Sequence, residues 1–145
     1  MLDRSLVGRE GEAWTVEVER GMIRRFAEAV GDPNPLWNDE ASARAAGHAG
    51  LVAPPTFAAA LALDERFRQS LDLGTRLILH SEQQIEYGRP VVAGDRLTIR
   101  SKVADVQERA GASGPMDVLL IEDEARDPQG NVVFRSRSTL VLRRG

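Results

Sequence analysis

Phe57 to Leu63 reads FAAALAL, seven successive residues without a polar side chain. Their spacing with the residues around them predicts one helix from about Thr56 to about Leu71, apolar on every side in its first half. Such a helix has no face that suits water, so the rest of the chain must wrap it. The second half, Asp64 to Ser70, is mostly charged and is expected to emerge into solvent.

The remainder supplies the wrapping. Leu77 to Tyr87 forms one long strand, and Leu97, Ile99 and Val103 alternate with Thr98, Arg100 and Lys102 in a second. Met116 to Ala125 and Val132 to Leu142 make two more. Turn chemistry separates them: Ala93-Gly94-Asp95, Ala110-Gly111-Ala112-Ser113-Gly114-Pro115 and Asp127-Pro128-Gln129-Gly130. Earlier in the chain, Trp14, Val16 and Val18 mark a half-buried strand. Met22, Phe26 and Val30 mark a helix that Gly31 stops in a left-handed conformation. Asn38 is placed to cap a short helix through Ala46, ended by Gly47, and residues 1–13 read as an arm. Hairpin-length connections cannot make parallel crossovers. The pattern therefore predicts an α+β chain, an antiparallel sheet wrapped around a central helix, which is the hot-dog architecture. Such a sheet has open edges, and pairing edge to edge with a second copy is the simplest way to cover them.

Composition narrows the function. Residues 1–145 suffice for one domain with its own core. There are 19 basic against 22 acidic residues and no basic run, which argues against nucleic acid as a partner. The chain has no cysteine, which excludes disulfides and thiolate chemistry and fits a reducing compartment. The first residues are too charged for a signal peptide and no apolar run approaches a membrane span. The expectation is a cytoplasmic protein without membrane attachment. No phosphate-binding glycine loop and no ligand cluster is present, so no cofactor and no metal is expected.

Candidate chemistry gathers in Gly31-Asp32-Pro33-Asn34-Pro35. Two prolines set φ on either side of Asn34, so Asp32 and Asn34 sit on a pre-set backbone. Asp32 could act as a base or bond its own turn. Trp37 reads as a core aromatic that anchors the loop. Pro54-Pro55-Thr56 feeds the apolar helix, and since proline has no N–H, free donors at its tip must come from Thr56, Phe57 or Ala58. Two histidines exist, His48 in a glycine-flanked loop and His80 on the first long strand. Strict alternation groups His80 with Glu82, Gln84 and Glu86, opposite Leu79, Ile85 and Tyr87. Arg89 to Asp95 reads as a strand-end turn without chemistry.

The run FAEAVGDPNPLWNDEASA resembles the signature of the MaoC-like (R)-specific enoyl-CoA hydratases and 3-hydroxyacyl dehydratases. The pieces GLVAPPTF, LHSEQQIEYGRPVVAGDRL and NVVFRSRSTLVLR are similar to the N-terminal-type (FAS1-like) dehydratase domain of that superfamily. The resemblance runs from about Val16 to Leu142. It implies a hot-dog dimer with an acyl-thioester tunnel between protomers, and addition or loss of water across the 2,3 bond of an acyl-CoA or acyl-carrier-protein thioester. It also implies a catalytic aspartate with a histidine five residues later. Here Asp32 matches, but the histidine position holds Trp37, whose indole has a donor and no basic nitrogen. A-type subunits of the family carry such losses and leave the chemistry to a partner chain. The resemblance thus makes Asp32 and His80 the catalytic candidates, and Asn34, Trp37, Pro55, Thr56 and Phe57 the substrate-binding ones. It implies a homodimer, or a heterodimer with a second hot-dog subunit that supplies the histidine. Two other readings stay open: a non-catalytic acyl-thioester-binding module, and a thioesterase using Asp64 or Glu65.

Overall fold

The computed structural model describes residues 1–62, 64–112 and 114–143. Its elements run β1 (Trp14–Glu17), α1 (Arg20–Val30), α2 (Pro35–Asn38), α3 (Glu40–Ala45), α4 (Ala58–Leu61), α5 (Glu65–Ser70), β2 (Leu77–Tyr87), β3 (Arg96–Gly111), β4 (Gly114–Arg126) and β5 (Val132–Arg143). The strands form one antiparallel sheet in the order β1-β3-β4-β5-β2. Three hairpin neighbours lie centrally, with β1 and β2 at the two edges.

The expected helix from Thr56 to Leu71 is instead two short ones. Ala62 leaves helical geometry at ψ 169, and Asp64 restarts it by accepting the Arg66 N–H at 3.0 Å. The expectation for Leu63 lies outside the described residues, as does that for Ser113 in the β3–β4 turn. The first piece meets the sheet: Phe57, Ala58 and Leu61 are buried, while Ala60 is exposed. The second is charged outside and buries Phe67, as its composition implied.

One face of the sheet carries the core. Leu97, Ile99, Ala125 and Phe134 pack with Ile23, Ala27, Trp37, Phe57 and Ala58 in one cluster. Val103, Ile121, Leu140 and Leu142 pack with Phe67, Leu71 and Leu2 in another. A polar band lies on the same face: Asp123 accepts hydrogen bonds from the Ser101 and Ser136 hydroxyls, and Ser138 donates to Gln83 at 2.8 Å. The opposite face is an ion-pair ladder, with Arg135 on Glu124 and Arg137 on Glu122.

A bulge in β2 changes what that strand presents. Residues 77 to 80 pair with 143 to 140, but Glu82 pairs with Thr139, so Ser81 is the extra residue, its hydroxyl donating to the Thr139 carbonyl. His80, opposite Leu140, therefore faces the core side with Ile78, Gln83, Ile85 and Tyr87. Leu79, Glu82, Gln84 and Glu86 share the outer side. This reverses the grouping that strict alternation implied, because an inserted residue shifts a period of two by one.

Candidate functional site

The proline turn is built by side chains folding back on their own backbone. Gly31 takes φ 71 and closes α1, and the Asp32 N–H reaches the Ala27 carbonyl at 3.0 Å. Asp32 Oδ1 accepts the Asn34 N–H at 3.1 Å, and Asn34 Oδ1 accepts the Leu36 N–H at 2.9 Å. Asn34 thus caps α2, with Pro35 in its first turn. Asn38 was expected to cap the next helix; it braces the turn instead, donating to the Asp32 and Asn34 carbonyls, and Asp39 caps α3. Asp32 is half-buried, and its Oδ2 accepts no hydrogen bond among the described residues. One oxygen holds the turn and the other remains available.

Trp37 points inward. It is 7% exposed and belongs to the core cluster with Ile23 and Phe57. Its Nε1 is buried without a hydrogen-bond partner among the described residues. The Trp37 side chain therefore packs in the core, with one donor unsatisfied among the described residues.

The second part of the site is joined to the first by short links. The Val52 N–H donates to the Leu36 carbonyl at 2.9 Å, and the Phe26 ring meets Phe57 edge-on at 5.5 Å between centroids. Leu51 to Ala53 runs beside Val91 to Ala93, with the Ala53 N–H on the Val91 carbonyl and the Ala93 N–H on the Leu51 carbonyl, both at 2.8 Å. The Arg89 turn fixes that neighbour: its guanidinium makes paired contacts of 2.8 and 3.0 Å with Asp95, which also accepts the Val92 N–H. The Asp95 bonds hold the Arg89 charge above its ordinary pKa.

At the tip itself, the Phe57 N–H is taken by the Pro54 carbonyl at 2.9 Å. Tyr87, at the end of β2, donates its hydroxyl to the Pro55 carbonyl at 2.5 Å. Burial raises the Tyr87 pKa, and the Ala58 N–H bonded to its oxygen works in the opposite direction. Of the three donors considered from sequence, only the Thr56 N–H, on an exposed residue, has no acceptor among the described residues. Tyr87 escaped sequence reasoning. Its place on the core side of β2 was legible, but its meeting with Pro55 needs the closed fold.

Trp37 and Phe57 thus share one core cluster, with the Asp32–Asn34 turn leading into the first and Pro55 and Thr56 into the second. His80 is not among them. It is exposed and stands seven residues before Tyr87, roughly 20 Å away at strand rise. His48 is half-buried just after α3. Asp64 caps α5, and Glu65 is bound to Arg68 on the surface. Two cavities of about 440 and about 270 Å³ lie on the outer side of the sheet, and neither is lined by these candidate residues. Among the described residues no three His, Cys, Asp or Glu side chains converge as a metal site, and no helix is long and apolar enough to cross a membrane.

Comparison with known proteins agrees with this architecture. Residues 5–136 match the model of the FAS1-like dehydratase domain region. A UPF0336 protein of Streptomyces avermitilis is 40% identical over 147 aligned positions, covering 98% of this chain and 95% of its own. The crystal structure of the C-terminally truncated HadBC (3R-hydroxyacyl-ACP dehydratase) complex of Mycobacterium tuberculosis contains a chain that superposes with TM-score 0.83 at 29% identity, covering 94% of this chain and 96% of that one. A MaoC-like dehydratase gives TM-score 0.85 at 31% identity over 95% of this chain, which spans only 42% of that longer protein. The fold is that of the hot-dog dehydratases.

Proposed function

This chain belongs to the family of the FAS1-like dehydratase domain region, and from that premise we propose that it is the non-catalytic subunit of a hydro-lyase. Its substrates are (3R)-3-hydroxyacyl or 2-enoyl thioesters of CoA or acyl carrier protein. A second hot-dog subunit, bearing an intact aspartate and histidine, carries the protons. The observation behind this is Trp37, buried in the core five residues after Asp32.

Dehydration removes a proton from C2 and delivers one to the hydroxyl leaving C3. An indole can do neither. Asp32 has one available oxygen but, among the described residues, no basic side chain bonded to it, and removing a general acid–base group costs typically ~10²–10⁴-fold in rate. In this proposal Asp32 chiefly shapes the turn. His80 lies on the free edge of β2, where it would meet a second subunit rather than its own chain's turn. The HadBC structure, a complex of hot-dog dehydratase chains, supports a partner of this type.

The test is hydration of crotonyl-CoA by the purified chain alone and after mixing with an Asp/His-bearing hot-dog subunit encoded beside it. Activity is expected only from the mixture. Turnover by the chain alone would refute the proposal. The same Trp37, which cannot carry a proton, also fits one second reading, a module that binds acyl thioesters without any hydration. A stable, inactive complex that still binds acyl-CoA would select it.

A further inference from the structure

β2 closes one side of the sheet: Leu77–Tyr87 pairs with β5 on one flank only. Eleven residues of open strand form a long template for another chain, and proteins commonly guard such edges with charge. Because of the Ser81 bulge, the outer side of this edge presents Leu77 and Leu79 first and Glu82 and Glu86 after them. The two leucines are 58% and 44% exposed, an apolar surface suited to burial in an interface. Glu82 and Glu86 are exposed and enter no ion pair among the described residues. The nearest strand offers Arg135 and Arg137, but those guanidiniums are bound to Glu124 and Glu122.

Where a pairing centres on the acidic half of that edge, a second copy of this chain fits poorly. In a two-fold pairing about Glu82, the Glu82 carboxylates of the two copies face each other. Moving the axis to Gln84 sets Glu82 against Glu86 twice, and the intermediate register leaves the two Glu82 side chains as diagonal neighbours. Like charges directly opposite across a strand pair are destabilising, and diagonal neighbours are still within reach of long side chains. We infer that Glu82 and Glu86 select against self-pairing, and that β2 takes a non-identical hot-dog subunit whose edge strand carries lysine or arginine on its outer side and apolar residues opposite Leu77 and Leu79. The inference rests on the reading that a second hot-dog subunit completes the enzyme, and adds what decides which subunit that is.

Sedimentation equilibrium tests it with the full chain and two variants, E82Q/E86Q and E82K/E86K. Both positions are exposed, and circular dichroism checks that the variants fold. The wild type is expected to self-associate weakly, and more strongly at about 500 mM than at about 50 mM salt, where screening is least. E82Q/E86Q should dimerise at least ~10-fold more tightly. E82K/E86K stands in for the basic-edged partner: mixed with wild type it should form a one-to-one dimer tighter than either protein forms alone, weakening as salt rises. A tight wild-type dimer indifferent to salt and to E82Q/E86Q would overturn the inference, and so would a mixture that associates no better than its components. Neither result concerns turnover, so the dehydratase reading stands or falls separately.

Discussion

Replacing Trp37 separates a core residue from a chemical one. A tryptophan side chain buries roughly 150–250 Å², which at ~25 cal/mol per Å² is about 4–6 kcal/mol of transfer free energy. Trp37 is buried to all but 7% of its surface and packs beside Ile23 and Phe57 in the larger cluster. Trp37→Ala should therefore cost about 3–5 kcal/mol, the range for large aromatics cut to alanine. In a chain of this length that lowers Tm by about 10–15 °C. Trp37→Phe is the discriminating case. It keeps most of the volume and removes the Nε1 donor that is buried without an acceptor among the described residues. The lost area costs about 1–2 kcal/mol, and relief of an unsatisfied buried donor returns about 1–3 kcal/mol. The two nearly cancel, so Trp37→Phe should unfold within about 1 kcal/mol of wild type in urea. In a reconstituted complex its turnover should also match wild type. A Trp37→Phe variant as unstable as Trp37→Ala, or one that folds but loses activity in the complex, would refute the assignment, because either result requires the indole N–H to hold a partner.

Three further outcomes follow from the same contacts. Asp95→Ala removes the paired Arg89 contact and the Val92 acceptor together, and should cost about 2–3 kcal/mol in urea unfolding. Tyr87→Phe loses one hydrogen bond to Pro55 and should cost about 1 kcal/mol by the same assay, with increased amide exchange at Ala58. For Glu124, burial raises the pKa, but the Arg126 and Arg135 hydrogen bonds outweigh it and leave the carboxyl below its ordinary value. Its contribution to stability is complete above the ordinary glutamate range and disappears as pH falls through the lowered folded value, so Glu124→Gln should flatten the acid limb of urea midpoint against pH.

The sheet was readable from residue type because its strands alternate between polar and apolar and end at turn residues. Leu77 to Tyr87 emerged with the bounds that its pattern implied. The helix from Thr56 was misjudged as continuous because alanine and leucine favour helix at every position and contain no breaker. The one signal was Asp64 followed by Glu65, a capping pair whose role shows once Ala62 has left the helix. The direction of His80 was lost at Ser81, since a bulge leaves no mark in hydrophobic spacing. At the site, Asp32 and Trp37 each had a structural and a chemical reading from sequence. The folded chain realises the structural contacts of both: an oxygen of Asp32 on its own turn, and the indole in the core. The meeting of Tyr87 with Pro55 joins residues 32 positions apart, so no local pattern announces it.

Under the proposed function this chain contributes shape and surface while another subunit moves the protons. The most direct measurement compares crotonyl-CoA hydration rates for three reconstituted complexes: unaltered, with Asp32→Asn in this chain, and with the partner's catalytic histidine replaced by alanine. Asparagine can still accept the Asn34 N–H, so the second complex should stay within a few-fold of the first, while the third should fall by ~10²–10⁴-fold. The opposite pattern, with Asp32→Asn abolishing hydration and the partner's histidine dispensable, would place the proton transfers in this chain and overturn the proposed function.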